Sequence, residues 1–164
     1  RIPSRGLMGY RPIFLSQTSG TGIMSFASDG FGPRISEDVG SRKNGVLISN
    51  AQGKAVGFAL WNLQARGRMM VKPNDLIYEG MVVGIHSRGN DLTVNPLKEK
   101  KLTNMRSSTG EVLVPLIPHR ELSLEQALEF CREDECVEVT PSAVRMRKVL
   151  LDVTERVKAG RKRK

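Results

Sequence analysis

Cations and amides are concentrated between Asn90 and Ser108 (NDLTVNPLKEKKLTNMRSS), and these side chains are well suited to bind another molecule. Lysines can neutralise phosphates, which makes binding salt-dependent. Arginines can grip a phosphate with two hydrogen bonds or stack on a base, and Asn and Thr can bond sugar hydroxyls and base edges. Such groups suit structured RNA. The candidate RNA-binding residues are Arg88, Asn90, Thr93, Asn95, Lys98, Lys100, Lys101, Thr103, Asn104 and Arg106.

The same stretch has the pattern of a long loop. It holds five apolar residues, alternates briefly between apolar and polar positions, and then loses its period. Loops of this length are uncommon inside compact domains and are usually functional or disordered. The alternative to an RNA-binding loop is a solvated loop with ordinary charges, and composition alone leaves both open.

Motifs for catalysis or cofactor binding are not recognisable. A phosphate-cradling P-loop needs Gly-x-x-x-x-Gly-Lys-Ser/Thr, but Gly53–Lys54 is followed by Ala55. His86 and His119 lie far apart without a triad or metal spacing, so each is interpreted as a surface or loop histidine. The acidic pair Asp134–Glu135 is interpreted as part of a solvated turn. We therefore predict no catalytic residue, no metal site and no cofactor in this chain.

The charge of the chain indicates a polyanionic partner. The formal net charge is +9 and the sequence pI is about 10.0, which favours nucleic acid or an acidic membrane surface. The charge is patterned along the chain. The segment Arg145–Lys164 carries nine cations against two acids, whereas Arg120–Glu138 carries two arginines against seven acids.

The cysteine count and the hydropathy pattern limit the classes of protein that this chain can belong to. Cys131 and Cys136 are too few for a disulfide framework and poorly placed for zinc, so we predict buried, reduced thiols in a reducing compartment. No apolar run approaches the roughly 18 residues of a membrane span, and no signal segment is recognisable. We expect a soluble monomer that does not bind membranes and, since the chain begins with Arg1, a piece of a longer protein.

The first 44 residues are predicted to contain little regular structure. Ser4–Ser19 is expected to be partly helical, with an interruption near Pro12. Ile23–Phe26 is predicted to be a short strand. Ser28–Asn44 contains three glycines and a proline, and we place a linker and a domain boundary there.

The middle of the chain is predicted to consist of short strands joined by tight turns, which favours a small barrel or curled sheet. A turn that ends at Gly53 is expected to join the first two strands as a hairpin. One or two helical turns are expected between the second and third strands, over Leu60–Arg66. The predicted strands are Gly45–Ser49, Lys54–Ala59, Met69–Val71 and Tyr78–Ile85.

The clearest helix begins after Ser123, which can form a capping box with Gln126. Its apolar stripe is predicted to be Leu124, Ala127, Leu128 and Cys131. Strands are predicted at Glu111–Ile117, Cys136–Thr140 and Ala143–Val149, and the last dozen residues are expected to form a loosely ordered basic tail.

Five segments, in order, resemble the C-terminal part of the BipA/TypA translational GTPases. They are RGLMGYRPIFLSQTSGTGIM, RKNGVLIS, YEGMVVGIHSRGNDLTVNPLKEKKLTNMRSS, LSLEQALEF and VEVTPSAVRMRK. The resemblance extends to about Lys148, and the central segment is highly specific to the family. It implies an α+β protein. Residues 1–30 would be the second half of a ferredoxin-like domain similar to the fifth domain of elongation factor G, and residues 34–150 a mostly β, barrel-like domain with one amphipathic helix. Residues 151–164 are expected to be a disordered basic tail.

The resemblance also implies partners. In that family the C-terminal domain sits on the large ribosomal subunit, and its long loop enters the A-site region near the peptidyl-transferase centre. There the loop contacts ribosomal RNA and the acceptor arm of tRNA. The corresponding loop here would be Ser87–Ser108, and its partners would be the large subunit, rRNA and A-site tRNA.

The family hydrolyses GTP with Mg²⁺ and acts in large-subunit assembly and stress adaptation. Its nucleotide site lies in an N-terminal domain that this sequence does not contain, so the resemblance implies a chain without GTPase activity of its own. A bacterial member would be cytoplasmic, and a plant or algal member would lie in the chloroplast or another organelle stroma. The alternatives are a basic membrane-surface module and a general RNA-binding module without a GTPase connection.

Overall fold

The computed structural model describes residues 1–7, 9–35, 42–99 and 115–162, and the chain divides into two units, Arg1–Arg42 and Lys43–Lys164. Helices and strands are both present, as expected for a mixed α and β protein. The predicted linker, Ser28–Asn44, overlaps the division between the units.

The first unit contains two short helices, α1 (Ser4–Leu7) and α2 (Tyr10–Gln17). The interruption comes at Gly9, which has a φ of 75°. Pro12 lies in the first turn of α2, where a missing N–H costs no helical hydrogen bond. The strand predicted at 23–26 is wrong, because the described residues of this unit offer that segment no strand to pair with. Two of its three apolar side chains are exposed, Ile23 at 94% and Phe26 at 71%.

The second unit contains eight strands and three helices in its described residues. The strands are β1 (Val46–Ser49), β2 (Gly53–Lys54), β3 (Gly67–Met69), β4 (Leu76–Ile77), β5 (Val82–His86), β6 (Leu92–Val94), β7 (Glu135–Val139) and β8 (Val144–Lys148); the helices are α3 (Gly57–Gln64), α4 (Leu124–Phe130) and α5 (Val153–Lys162). The central sheet has four strands in the order β3-β5-β1-β6. β1 lies antiparallel to β5 and parallel to β6, and β3 lies antiparallel to β5. Two two-stranded ribbons, β2-β4 and β7-β8, accompany this sheet.

The sheet is buried on both faces, which explains why β1 is apolar along most of its length. On one face, Leu47 and Val83 join a core that includes Leu60 and Leu63 of α3. On the other face, Val46, Ile48, Val82, Ala127 and Met146 form a second core with α4 and β8. Alternate side chains of β1 therefore pack into the two different cores. The apolar run made a strand at this position predictable from the sequence.

The predicted hairpin after β1 is wrong. β2 pairs with β4 instead of β1, and residues 57–64 form a helix instead of a return strand. A helix is favoured here because it places Ala59, Leu60 and Leu63 on one face, where they are buried against the sheet. The strand predicted to start at Tyr78 starts at Val82, since Gly80 turns the chain at a φ of 84°.

The predicted capping box is present at α4. The Ser123 hydroxyl accepts from the Gln126 N–H at 3.3 Å, and the Gln126 side chain accepts from the Ser123 N–H at 3.3 Å. The predicted apolar stripe is only partly buried, because Leu124 and Leu128 are exposed while Ala127 is fully covered. Both cysteines are half-buried, whereas buried thiols were predicted.

The C-terminal segment departs from the expected loose tail. Residues 153–162 form α5, which belongs to the second unit. The strand predicted at Glu111–Ile117 lies mostly outside the described residues, and its last three residues, 115–117, are not in a strand. Among the helices of the described ranges, none has the length and apolar character that a membrane crossing requires.

Candidate nucleic-acid interface

The turn after β5 presents two of the predicted residues to solvent. Arg88 and Asn90 are exposed, while their backbone carbonyls are occupied. The Gly45 N–H donates to the Arg88 carbonyl at 2.7 Å, and His86 Nδ1 donates to the Asn90 carbonyl at 2.5 Å. Asn44 Nδ2 donates to the His86 carbonyl at 2.9 Å. The backbone is therefore fixed. The Arg88 side chain is exposed, and the exposed Asn90 side chain donates from Nδ2 to the Asp91 carbonyl at 3.3 Å.

Gly45 is required where the turn passes over β1. A Cβ on Gly45 would lie 2.1 Å from the Asn90 carbonyl oxygen, which no side chain allows. The close approach also brings Asp91 to β1, where its Oδ1 accepts from the Val46 N–H at 2.9 Å. Glycine at this position thus lets the turn pack directly on the sheet.

The strand β6 and the turn that follows it carry three more of the predicted residues. Thr93 on β6 is exposed beside buried Val94, as alternation along a strand requires. Asn95 Oδ1 accepts from the Leu97 N–H at 2.9 Å and so closes an Asx turn. Asn95 therefore shapes the entrance of the loop, and Lys98, which follows it, is exposed.

The chain returns from the long loop at a second fixed point. Gln64 of α3 donates from Nε2 to the Ile117 carbonyl at 3.0 Å and accepts from the Ile117 N–H at 3.3 Å. Leu116 packs against the core that contains α3. The described residues on either side of the predicted loop are thus held by the folded unit, at β6 on one side and at α3 on the other. The remaining predicted residues, Lys100, Lys101, Thr103, Asn104 and Arg106, lie outside the described residues.

A buried lysine fixes the base of this region. Lys148 at the end of β8 is 1% exposed, and its Nζ lies 2.5 Å from Asp91 Oδ2, 2.7 Å from Asp134 Oδ2 and 3.0 Å from Glu135 Oε1. We call these four residues the Lys148 cluster. It ties the segment before β6 to the β7-β8 ribbon, so the turn and the loop entrance are attached to both cores.

The protonated form of Lys148 is strongly favoured. Burial by itself lowers the pKa of a lysine, but the hydrogen bonds to Asp134 and Asp91 and the charge of Glu135 outweigh it. The net effect raises the pKa of Lys148 above its ordinary value of 10.5. The cluster therefore keeps a charged lysine in the interior, and removing either sign of charge would leave the other buried without compensation.

Two sequence interpretations are wrong here. His86 is buried at 6% exposure and orders the turn, so it is not a surface histidine. Glu135 is also buried and belongs to the Lys148 cluster, so the acidic pair is not a solvated turn. Their partners lie 4 to 13 positions away and on other elements, which a local pattern does not reveal.

Sequence reasoning also missed two exposed cations beside the turn. The Arg66 carbonyl accepts from the Ser87 N–H at 2.9 Å, and the Lys43 carbonyl lies 3.1 Å from the position of a Cβ on Gly89. Both side chains are exposed. Together with Arg88 they make the edge of the sheet basic. Only the tertiary structure shows that these two cations lie beside the turn, because neither belongs to the charge-rich stretch of sequence.

The described residues contain no group of three or more His, Cys, Asp or Glu side chains arranged to hold a metal ion. The acidic side chains that do converge, in the Lys148 cluster, already neutralise a lysine. The site is thus a basic, polar surface around a fixed loop base, and its groups can bind phosphates, sugars and base edges.

Comparison with known proteins finds a family model that matches most of the chain. The family model described as the TypA/BipA C-terminal domain matches residues 44–153. The chain is 52% identical over 160 residues to the large ribosomal subunit assembly factor BipA of Haemophilus influenzae, covering 98% of this chain and 26% of that protein.

Two further relatives carry the same name. The Salmonella typhimurium protein is 52% identical over 163 residues, which cover 99% of this chain and 27% of that protein. The Buchnera aphidicola protein is 48% identical over 162 residues, again covering 99% and 27%. The chain therefore spans about a quarter of the length of these relatives.

Proposed function

The chain belongs to the TypA/BipA family, and on that premise we propose that it is the ribosome-binding C-terminal region of a large-subunit assembly factor. The observation that carries the proposal is the loop whose two ends are fixed at β6 and α3, with exposed Arg88 and Lys98 near its entrance. A loop held in this way can reach into a structured RNA without the cost of ordering its ends.

The partners of this surface are ribosomal RNA of the large subunit and the acceptor arm of an A-site tRNA. The support is chemical. Cations neutralise phosphates, and exposed amides and hydroxyls such as those of Asn90 and Thr93 can bond sugar hydroxyls and base edges. The basic edge formed by Lys43, Arg66 and Arg88 extends the same chemistry beyond the loop.

The parent protein is a translational GTPase that uses GTP and Mg²⁺ in another domain and acts in the cytoplasm during subunit assembly and stress adaptation. The first unit is the second half of a ferredoxin-like domain similar to the fifth domain of elongation factor G. The second unit is the barrel-like domain of the family. The exposed apolar side chains of the first unit, among them Ile23 and Phe26, support an incomplete domain.

The test is binding of the chain to purified large ribosomal subunits across a salt series. The loop variant changes Lys98, Lys100, Lys101 and Arg106 to Ala. A matched control changes four exposed cations elsewhere in the sequence, namely Arg11, Arg34, Lys54 and Lys72, to Ala. We expect weaker binding by the loop variant and a salt slope shallower by roughly 0.7–0.9 for each phosphate that the loop no longer neutralises.

The control keeps the net charge equal to that of the loop variant, so a general charge effect would weaken both equally. If the loop variant and the control bind alike, the loop does not bind the ribosome. If the unmodified chain does not bind large subunits at all, the proposed function is wrong for this region.

A further inference from the structure

The helix α5 is attached to the second unit at its first turn. The Glu155 N–H donates to Asp152 Oδ1 at 2.9 Å, which caps the helix. The Val153 N–H donates to Glu79 Oε1 at 3.1 Å, and a Cβ on Gly80 would lie 2.7 Å from the Leu151 Cα. The chain just before α5 thus packs on the turn that precedes β5.

Arg156 places α5 near the base of the long loop. Its Nη1 donates to the Leu150 carbonyl at 3.1 Å and also to the Leu151 carbonyl. The guanidinium is attracted by the carboxylates of Glu79, Asp152 and Asp91. Lys148 lies shortly before α5 and its Nζ is 2.5 Å from Asp91 Oδ2, so the start of α5 lies near the segment that carries Arg88 and Asn90.

The opposite side of α5 is basic and open. Lys158 and Arg161 are exposed and three positions apart, which puts them on one side of the helix. None of the described carboxylates forms an ion pair with either of them, whereas Arg156 is turned inward. The sequence continues with three further cations, Lys162, Arg163 and Lys164. The helix therefore presents cations outward from a fixed base.

We propose that Lys158 and Arg161 on α5 form a second binding site for the RNA phosphate backbone, beside the base of the long loop. This proposal rests on the proposed function and adds a site to it. The loop and α5 would then grip two neighbouring stretches of backbone. Glu79 and Arg156 hold α5 in place before RNA binds. An ordered helix loses less conformational entropy on binding than a flexible tail would lose.

A membrane surface fits α5 less well. Helices that lie in a membrane interface need a broad apolar face, usually with Trp, Phe or Leu. The apolar side chains of more than methyl size on α5 are Val153, which is half-buried, and Val157, which is 50% exposed. Just before the helix, Leu150 is 38% and Leu151 40% exposed, and Leu151 packs against Gly80, so both leave only part of their surface open beside the cations. The cations therefore have too little apolar surface beside them to insert into lipid.

The experiment measures binding of the full chain to purified large subunits across a salt series and, separately, to vesicles of phosphatidylglycerol. The variant Lys158→Ala/Arg161→Ala is compared with a control, Lys54→Ala/Lys72→Ala, which removes two exposed cations elsewhere on the same unit. We expect the α5 variant to have a salt slope shallower than that of the unmodified chain by roughly 1.4–1.8, because two fewer phosphates are neutralised. The control should keep the original slope.

A combined variant that also carries the loop substitutions should bind more weakly than either variant alone. Equal affinity and equal slope for the α5 variant and the unmodified chain would overturn the α5 proposal while leaving the proposed function in place. Binding to vesicles that the α5 variant abolishes, with unchanged binding to subunits, would overturn it in favour of a lipid-binding site. If the unmodified chain does not bind subunits, the proposed function fails and the α5 site fails with it.

Discussion

The two units of the chain differ in what they bury. No described residue of Arg1–Arg42 is buried, and several of its large apolar side chains, including Ile23, Phe26 and Phe31, are exposed. Lys43–Lys164 buries two apolar cores, one on each face of a sheet, together with a charged cluster. Helices form in both units, so helix formation alone does not distinguish a self-sufficient unit from a dependent one.

The difference shows what a fold needs beyond local structure. In the first unit, α2 has an ordered end, where the Thr18 hydroxyl donates to the Phe14 carbonyl at 2.8 Å, but among the described residues of that unit it has no sheet to cover. In the second unit, α3 and α4 each cover one face of the same sheet. Stability should therefore reside in the second unit, and its single tryptophan, Trp61 on α3, reports on it.

The largest expected effect follows from Lys148→Met. The change leaves Asp91, Asp134 and Glu135 together without their cation, which costs about 3–5 kcal/mol of unfolding free energy when a buried pair is broken. Urea unfolding followed by Trp61 fluorescence measures the decrease. Lys158→Met on the exposed side of α5 is the control and should change the unfolding free energy by less than about 0.5 kcal/mol. Equal effects of the two variants would contradict a structural role for the cluster.

A matched pair of truncations tests the comparison between the units directly. Leu47→Ala removes a fully buried side chain from β1 and should lower the unfolding free energy by about 2–5 kcal/mol. Phe14→Ala removes a larger, half-buried side chain from α2. Because the described part of the first unit has no buried core, we expect the Trp61 transition of Phe14→Ala to keep the midpoint of the unmodified chain. A shift as large as that of Leu47→Ala would show that the two units unfold together.

Alkaline pH should destabilise the second unit selectively. Burial, and then the 2.5 Å hydrogen bond that Tyr78 donates to Glu138, raises the pKa of Tyr78, and the pKa of Lys148 is also raised. A raised pKa means that the folded state holds the proton more tightly. The stabilisation that these two groups contribute is therefore fully present below about pH 10. It is lost as the pH rises toward their raised pKa values. The slope is at most about 1.4 kcal/mol per pH unit for each group.

Denaturant titrations between about pH 8 and 11.5, a range that brackets the ordinary pKa values of Tyr and Lys, measure this slope through Trp61 fluorescence. Tyr78→Phe should flatten it, since the folded protein then lacks one of the two proton-holding groups. A Tyr10→Phe control in the first unit should leave the slope of the second unit unchanged. If Tyr78→Phe and the unmodified chain show the same pH dependence, the hydrogen bond to Glu138 does not hold the proton in solution.

Local sequence signals predicted the features that depend on near neighbours. The apolar run at Val46–Ser49 predicted β1, and Ser123 with Gln126 predicted the cap of α4. The helical pattern around Tyr10–Phe14 predicted α2.

Interactions between distant residues could not be predicted in this way. The pairing of β2 with β4, instead of β1, depends on how α3 buries its apolar face. The Lys148 cluster joins positions 91, 134, 135 and 148, which only the tertiary fold brings together. The order of α5 depends on Glu79 and Gly80, which are more than 70 positions away. A charge-rich composition is equally typical of a solvated tail and of such a fixed helix.

The smallest predicted effect compares one helix cap in each unit. Ser123→Ala removes the hydroxyl that accepts from the Gln126 N–H and should lower the unfolding free energy of the second unit by about 1 kcal/mol. Thr18→Ala removes the hydroxyl that donates to the Phe14 carbonyl and accepts from the Gly22 N–H at 3.1 Å. This change should reduce the helical circular dichroism signal slightly without moving the Trp61 transition. Because α4 is coupled to a core and α2 is not, removing a cap should affect the global stability only in the second unit, and a Thr18→Ala shift of about 1 kcal/mol in that transition would remove the distinction.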